Sequence, residues 1–329
     1  MYNFYGISKN KFIDDRKTEY FSYGNMKIET ETITGWRETN EDSHIVIQLK
    51  LPVIQDQASV SLQIFGVFDG HGGRDCSRIV AMYFPKWLIE TQSWIEYEKD
   101  RLECIQATES DTKQMIKHAL IELFQNADKR PEMVNFYGQG TTAIISIITP
   151  TACIIANCGD SRAILYDTNC EFLEETYDHK PYQPEEKKRI YENGGYIYNG
   201  RIYADLSLSR ALGDLDYKKN SIDIFGKKIT ADIISAIPDI YEFSREQVKK
   251  ILLICDGYLE ELDTSSITKI LQNKQFIKKG LTPIQSLTQA SIDSYSKDNM
   301  TGILIHFDEY DDIFNEKEFN EIPYWNIKK

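Results

Sequence analysis

Several features that would place a protein in a membrane or in a secretory pathway are missing from this sequence. It has no run of about 18 uncharged apolar residues, and Met1-Tyr2-Asn3 does not begin a signal-peptide pattern. Tyr2 stands where N-myristoylation requires glycine. The six cysteines form no Cys-x-x-Cys pair, and several lie in apolar runs. We expect reduced thiols in a soluble protein of the cytoplasm and/or nucleus, without integral membrane association.

Basic residues are also too few for a nucleic-acid-binding protein. The 329 residues include 38 Lys and Arg against 51 Asp and Glu, which gives a net charge of −13. A protein that binds the phosphate backbone needs a basic surface to displace counterions. We therefore exclude nucleic acid as a partner. The length suits one large domain or two small ones.

Apolar patterning predicts a mixture of strands and helices. Strands are predicted at 62–68, 141–148, 152–157 and 163–166, and the turn-rich segment 158–162 predicts that the last two form a hairpin. Helices are predicted at 77–92, 111–127 and 184–193. Residues 93–110 and 128–140 are predicted to be surface connections. Strands in the centre with helices outside are therefore expected.

The ends of the chain differ in composition from its middle. Residues 1–27 are polar and rich in tyrosine, which indicates an N-terminal arm that is an edge strand or loosely held. Residues 308–329 are acidic and aromatic, and we expect this C-terminal tail to pack on the body. The domain itself is expected to span residues 28–307.

Carboxylates recur at the ends of predicted strands. Asp69-Gly70 follows an apolar run, Asp256-Gly257 follows another, and Asp298 shortly precedes a third. A single Asp-Gly is also the signal of a tight hairpin turn. Three such carboxylates can converge, however, and like charges at close range need a positive partner. Oxygen ligands without clustered Cys or His favour Mg²⁺, Mn²⁺ or Ca²⁺ over Zn²⁺.

An arginine and an acidic pair lie upstream of the first Asp-Gly. Arg37 precedes Glu41-Asp42 by four and five residues. Arginine offers a planar, permanently charged fork for phosphate, and the two acids could ligate a metal or hold its waters. Taken alone, Arg37 would more often be a solvated or salt-bridged surface residue.

Eight short motifs follow one another along the chain: Arg37…Glu41-Asp42, Asp69-Gly70-His71-Gly72-Gly73, Gly140-Thr141-Thr142-Ala143, Asn157-Cys158-Gly159-Asp160-Ser161-Arg162-Ala163, Asp178-His179-Lys180-Pro181, Ser209-Arg210-Ala211-Leu212-Gly213-Asp214, Cys255-Asp256-Gly257 and Asp298-Asn299-Met300-Thr301. Taken together, they resemble the ordered motif set of the type 2C, metal-dependent protein serine/threonine phosphatases, over residues 28–307. The resemblance implies an α+β fold, a four-layer α-β-β-α sandwich of two antiparallel sheets flanked by helices. It also implies a binuclear Mg²⁺ or Mn²⁺ site at one end, and phosphoserine and phosphothreonine proteins as substrates. We expect a monomer.

The resemblance also implies a role for individual residues. Asp69 would bridge two metals, and a water between the metals would attack phosphorus directly, without a covalent phosphoenzyme. Arg37 would bind the phosphate, and His71 would protonate the leaving oxygen. The Gly70 carbonyl and Glu41 would bind one metal, and Asp256 and Asp298 would bind the other. Asp160 with Asp256 would bind a weaker third metal. Asp42 would lie behind the direct ligands or act on a metal through a water.

Other interpretations remain open. A pseudophosphatase that only binds a signalling partner would have lost ligand acids, which are all present here. A hydrolase of small phosphoesters or nucleotides is a further alternative, but the sequence has no Gly-x-x-x-x-Gly-Lys loop. His179 and Asp214 are expected to be structural, and His44, His118 and His306 to be surface or core residues. The chain departs from the family pattern at three places. Ala204-Asp205-Leu206-Ser207 stands where the family commonly has Gly-x-Leu-Ala, Tyr258-Leu259-Glu260 lacks the usual Trp after the second Asp-Gly, and Gly302 stands where a β-branched residue is usual.

Overall fold

The computed structural model describes residues 11–50, 61–102, 108–273, 280–307 and 317–325. Its strands are β1 (Lys17–Tyr23), β2 (Met26–Ile33), β3 (Ser43–Lys50), β4 (Ser61–Phe68), β5 (Gly70–His71), β6 (Gly140–Thr141), β7 (Ala143–Ile148), β8 (Ala152–Cys158), β9 (Arg162–Tyr166), β10 (Phe172–Glu175), β11 (Ile197–Tyr198), β12 (Arg201–Ile202), β13 (Leu212–Gly213), β14 (Asp239–Ser244), β15 (Lys250–Ile254), β16 (Met300–His306) and β17 (Asn320–Glu321). Its α-helices are α1 (Asp75–Ile89), α2 (Gln92–Leu102), α3 (Glu109–Ala127), α4 (Pro184–Glu192), α5 (Thr264–Gln272) and α6 (Pro283–Asp293).

Two large sheets form the centre of the molecule. The first sheet has the strand order β10-β9-β15-β16-β2-β1-β17, and the second has the order β14-β8-β7-β4-β3. Their pairings are antiparallel, apart from the parallel pairing of β1 with β17. Strands β15 and β16 of the first sheet lie against β4 and β7 of the second. Helices α5 and α6 cover the first sheet, and α1 and α3 cover the second. This confirms the predicted four-layer sandwich.

Side chains alternate between the two cores, as the period of two in a strand requires. Along β4, Phe65 and Val67 enter the core between the sheets, whereas Ile64 and Phe68 enter the core under α1, α2 and α3. Both faces of this strand are buried, which explains its almost continuous apolar sequence.

Residues 184–236 form a small unit with a hydrophobic cluster of its own, which we call the side unit. It contains α4, β11, β12 and β13, and much of its chain is irregular. Its buried cluster is separate from the two main cores and consists of Ile190, Ile202, Tyr203, Leu208, Ala211, Tyr217, Ile229, Ile233 and Ile234.

Residues 93–110 are not only a surface connection, and that prediction was wrong. Helix α2 occupies Gln92–Leu102, and Trp94 and Tyr97 are buried against α3. A charged segment with a narrow apolar stripe gives a weak helical signal, although packing on a neighbouring helix is enough to stabilise it. Residues 103–107 lie outside the described part of the chain.

The predicted hairpin of 152–157 with 163–166 was also wrong. Strand β8 belongs to the second sheet and β9 to the first, so the segment between them crosses from one sheet to the other. The predicted strand 141–148 is two strands, because β6 pairs in a separate three-stranded sheet and β7 pairs in the second sheet. A turn-rich connection has the same composition whether the chain folds back or crosses over.

Both ends of the described chain lie on the body. Strand β1 pairs along its whole length with β2, and β17 pairs with β1. Ile322 is buried in the core between the sheets, and Trp325 packs against the core under the helices. Residues 1–10, 308–316 and 326–329 are outside the described part, so the arm and the tail are seen only in part.

Two departures from the family pattern lie side by side. Tyr258 is fully buried and its hydroxyl is 2.8 Å from Thr288 Oγ1. A Cβ on residue 302 would be 3.3 Å from the Tyr258 ring and 3.2 Å from Ile254 and Ile284. The Tyr258 ring, Ile254 and Ile284 therefore pack closely around Gly302, and a side chain at this position would require these neighbours to shift.

Cys76, Cys153, Cys158, Cys170 and Cys255 are buried and free. None of the helices within the described ranges combines the length and the apolar character needed to cross a bilayer.

Candidate active site

Strands from both sheets end at one cavity of about 920 Å³. Asp69 follows β4 and Asp160 follows β8 of the second sheet, whereas Asp256 follows β15 and Asp298 precedes β16 of the first. The cavity lining includes most of the predicted site residues, which are Arg37, Glu41, Asp69, Gly70, His71, Asp160, Asp256 and Asp298. We call the part formed by the predicted metal ligands the floor.

Asp42 is the predicted site residue that does not line the cavity. Its carboxylate lies behind Asp69, where one ligand atom from each of Asp42, Asp69 and Cys255 falls within 4.8 Å of the others. Asp42 Oδ2 is buried and has no hydrogen-bond partner in the described structure. Burial, with a contribution from the charge of Asp298, raises the pKa of Asp42 to about 7.

The floor concentrates negative charge in a buried space. Burial raises the pKa of Asp69 well above its ordinary value, and repulsion from Asp42, Asp160 and Asp298 adds to this. Burial and repulsion from Asp69 and Asp160 do the same to the pKa of Asp256. Asp160 is 1% exposed, and its Oδ1 has no partner among the described residues. Such a set of oxygen atoms fits hard divalent cations, which would neutralise the repulsion.

The loops that carry Asp256 and Asp298 approach each other very closely at Gly257. A Cβ at this position would lie 1.9 Å from the Asn299 carbonyl oxygen. Only glycine permits this approach, so the Asp-Gly pair does more here than mark the end of a strand.

Asn299 fastens the loop that carries Arg37 and Glu41. Its Nδ2 donates to the carbonyls of Thr34 (2.8 Å) and Thr39 (3.0 Å), and its Oδ1 accepts from the Glu41 N–H (2.9 Å). The sequence motif contains this residue, but nothing in the sequence indicated its positioning role, because its partners lie about 260 residues away.

Arg37 stands at the rim of the cavity. Its side chain is 54% exposed, and Nη2 donates to Asp298 Oδ2 at 2.5 Å. A guanidinium in this position keeps donors available to a phosphate while one branch holds a floor carboxylate.

His71, which is partly exposed to the cavity, pairs with the buried Asp214 beside the floor. His71 Nε2 lies 2.8 Å and 3.0 Å from the two carboxylate oxygens of Asp214, which is 2% exposed. Burial opposes the charged imidazole, but the Asp214 carboxylate outweighs it and raises the pKa of His71. The predicted structural role of Asp214 is therefore incomplete, since it directly orients the candidate acid.

Lys180 is a residue that the sequence reasoning missed. Its ammonium group donates to Asp160 Oδ2. Burial would lower the pKa of Lys180, but the charge of Asp160 raises it.

His179 has the predicted structural role, because its Nδ1 accepts from the Gly159 N–H (3.1 Å) and its Nε2 lies 3.1 Å from Asp239 Oδ2. His44, His118 and His306 contact Glu19, Gln114 and Glu29, away from the cavity lining.

Comparisons with known proteins agree with this fold. The family model described as protein phosphatase 2C matches residues 26–300. Protein phosphatase 2C 1 of Paramecium tetraurelia is 32% identical over 283 residues, which cover 83% of this chain and 89% of that protein. Protein phosphatase 1B of Mus musculus is 28% identical over 303 residues, which cover 90% of this chain and 75% of the mouse protein.

A solved structure shows the same fold. The serine-threonine phosphatase 2C from Toxoplasma gondii aligns with a TM-score of 0.65 at 24% identity, and the alignment covers 89% of this chain and 99% of that one. The match of the family model over most of the chain establishes the relationship. This chain is a member of the protein phosphatase 2C family of serine/threonine phosphatases.

Proposed function

We propose that this protein hydrolyses phosphoserine and phosphothreonine in proteins, with two Mg²⁺ or Mn²⁺ ions at the floor and a weaker third. The observation that carries the proposal is the convergence of Asp69, Asp160, Asp256 and Asp298 in one cavity with Arg37 at its rim. Such a cluster of carboxylates is costly without cations, and the family is metal-dependent. When bound, the ions would activate the attacking water and screen the phosphoryl charge.

We assign the oxygen donors to the ions as the family resemblance implies. The charge of Asp69 interacts with those of Asp160 in the second sheet and Asp298 in the first, and its Oδ2 accepts from the Asp256 N–H (3.4 Å), which is consistent with a ligand shared by two ions. Asp256 and Asp298 would hold one ion, and Glu41 with the Gly70 carbonyl the other. Asp160 and Asp256 would hold the third ion, whose weaker binding is consistent with the ammonium of Lys180 on Asp160. Asp42, behind Asp69, would act through its neighbours rather than as a direct ligand.

The remaining residues bind phosphate and move a proton. Arg37 would donate to the non-bridging phosphate oxygens and fix the phosphoryl group for attack from the floor. Asp214 engages His71 at Nε2, so Nδ1 is left to give its proton to the seryl or threonyl oxygen as the ester bond breaks. An alkoxide is a poor leaving group, and this proton converts it into a neutral hydroxyl.

The test is phosphate release from a phosphothreonine peptide with Mn²⁺, with Mg²⁺ and with excess EDTA. We expect turnover with either metal, none with EDTA, and a loss of at least about a hundredfold in Asp256→Asn. Glu261→Gln is the matched control, because Glu261 is exposed and outside the cavity lining. Absence of turnover under every metal condition would contradict the proposal and favour a pseudophosphatase that only binds partners.

A further inference from the structure

Beside the floor, the side unit contributes a well-ordered loop to the cavity, residues 221–229. The Ile229 N–H donates to the Ser221 carbonyl (2.8 Å) and the Asp223 N–H to that of Lys227 (2.8 Å). Asp223 Oδ1 accepts from the N–H groups of Phe225 (2.9 Å) and Lys227 (2.7 Å). The loop is therefore held in shape by its own backbone and by one carboxylate oxygen.

This loop presents apolar side chains to solvent at the edge of the cavity. Ile222 and Ile224 are each 61% exposed, and both line the cavity. The nearby Phe225 ring lies 5.8 Å from Tyr196 and 6.3 Å from Tyr203, which anchors the loop to the side unit. Single exposed apolar residues are common, but two together at the mouth of a cleft indicate a binding surface.

We call the part of the cavity lining that the side unit contributes the wall, and it is strongly acidic. Besides Asp214, the partner of His71, it carries the carboxylates of Asp205, Asp216 and Asp223, and Glu38 and Glu260 add negative charge elsewhere in the lining. Among the lining residues that the structure describes, the arginines are Arg37 and Arg201, and Arg37 is bonded to Asp298. Cations at the floor would neutralise the floor acids, whereas the charge of the wall would remain.

We infer that this wall binds the polypeptide around the phosphorylated residue and selects segments that carry lysine or arginine together with an aliphatic side chain. The basic side chains would face the wall carboxylates, and the aliphatic one would pack on Ile222 and Ile224. Acidic flanking residues would be repelled. The inference rests on the proposed function, since it specifies the substrates of that site.

The first experiment compares matched phosphothreonine peptides on the wild-type enzyme with Mn²⁺. They differ only in flanking residues: lysines with a leucine, lysines with serine in place of leucine, neutral residues, or glutamates. We expect kcat/KM to fall about threefold from lysine to neutral flanks and again from neutral to glutamate flanks. These differences should shrink between low and high salt, because exposed charges are screened. p-Nitrophenyl phosphate, which has no flanking residues, is measured in parallel.

Two variants separate the contribution of the wall's negative charge to peptide preference from that of its apolar contact. Asp223→Asn keeps the oxygen that holds the loop and should lower the preference for lysine flanks about twofold to threefold. Ile224→Ser should reduce the advantage of the leucine peptide over its serine counterpart about threefold. The controls are Glu192→Gln on α4 and Ile237→Ser, which remove an exposed charge and an exposed apolar side chain outside the lining and should change neither ratio.

Equal kcat/KM for lysine and glutamate peptides, with p-nitrophenyl phosphate still hydrolysed, would overturn the inference and leave the proposed function intact. Equal effects of Asp223→Asn on all peptides would also overturn it. No metal-dependent hydrolysis of any of these substrates would instead overturn the proposed function, and with it the inference.

Discussion

The floor and the wall of the cavity are held in place in different ways. The floor carboxylates stand at the ends of strands of two sheets that share one core. The wall belongs largely to the side unit, which has its own small cluster and is joined to the body by ion pairs. Arg210 contacts Glu186 of α4 and Asp239 of β14, and Lys218 contacts Asp128 after α3. The proposed metal ligands thus lie at the ends of strands of the two main sheets, whereas the proposed recognition surface lies on a unit with its own hydrophobic cluster.

The largest effect is expected at the centre of the floor. Asp69→Asn should lower metal-dependent kcat by about a thousandfold, because the variant loses the charge placed between both sheets. The same change relieves repulsion with Asp42, Asp160 and Asp298. In EDTA the thermal unfolding midpoint should therefore not fall below that of the wild type. A variant that retains full activity would remove Asp69 from the site.

Lys218→Met tests the joint between the side unit and the body. Lys218 is 6% exposed, and its ammonium group contacts Asp128 and the Ala211 carbonyl (2.9 Å), so its removal leaves a carboxylate without its charge partner. We expect a loss of about 3 kcal/mol in the free energy of unfolding, measured by urea denaturation. Lys219→Met, at the exposed neighbouring position, is the control. Adding Asp128→Asn should recover part of the loss, and no recovery would argue against this pairing.

His71, the proposed proton donor, lines the same cavity. His71→Gln should slow hydrolysis of a phosphothreonine peptide about a hundredfold, and p-nitrophenyl phosphate much less, because nitrophenolate leaves without proton help. Asp214→Asn should also slow hydrolysis of the peptide more than that of p-nitrophenyl phosphate, but by a smaller factor, because it removes only the partner that orients His71. Steady-state kinetics on both substrates measure this, and an equal loss on both would contradict the general-acid role.

The smallest effect concerns how the unfolding free energy depends on pH through the ion pairs where the side unit meets the body. Burial on its own would raise the pKa of Glu186, but Arg210 and Arg189 lower it to about 2 from the ordinary 4.5. Since the folded-state pKa is the lower one, Glu186 stabilises the fold fully above pH 4.5, and this contribution disappears as the pH falls towards 2.

Glu186→Gln should therefore cost about 2 kcal/mol of unfolding free energy near neutral pH, and this difference should vanish towards pH 2. Glu185→Gln, at the exposed adjacent position of α4, is the control. A difference from the wild type that stays constant between pH 7 and pH 3 would contradict the assignment.

The sequence predicts the floor better than the wall for a physical reason. Asp69, Asp256 and Asp298 each stand beside a buried strand, so both the residue and its place in the sheet have a local signature. The pairs His71 with Asp214 and Lys218 with Asp128 are 143 and 90 residues apart and have none. The helix α2 and the crossing from β8 to β9 were misjudged because tertiary packing, not local pattern, decides them.

The proposed metal site is tested most directly by an equilibrium titration of the metal-free wild-type protein with Mn²⁺, followed by calorimetry. We expect saturable binding of two ions per chain, with weaker further binding, and a marked loss of both tight sites in Asp69→Asn but not in Glu261→Gln. Absence of saturable binding to the wild type, or two unchanged sites in Asp69→Asn, would contradict the proposed metal site.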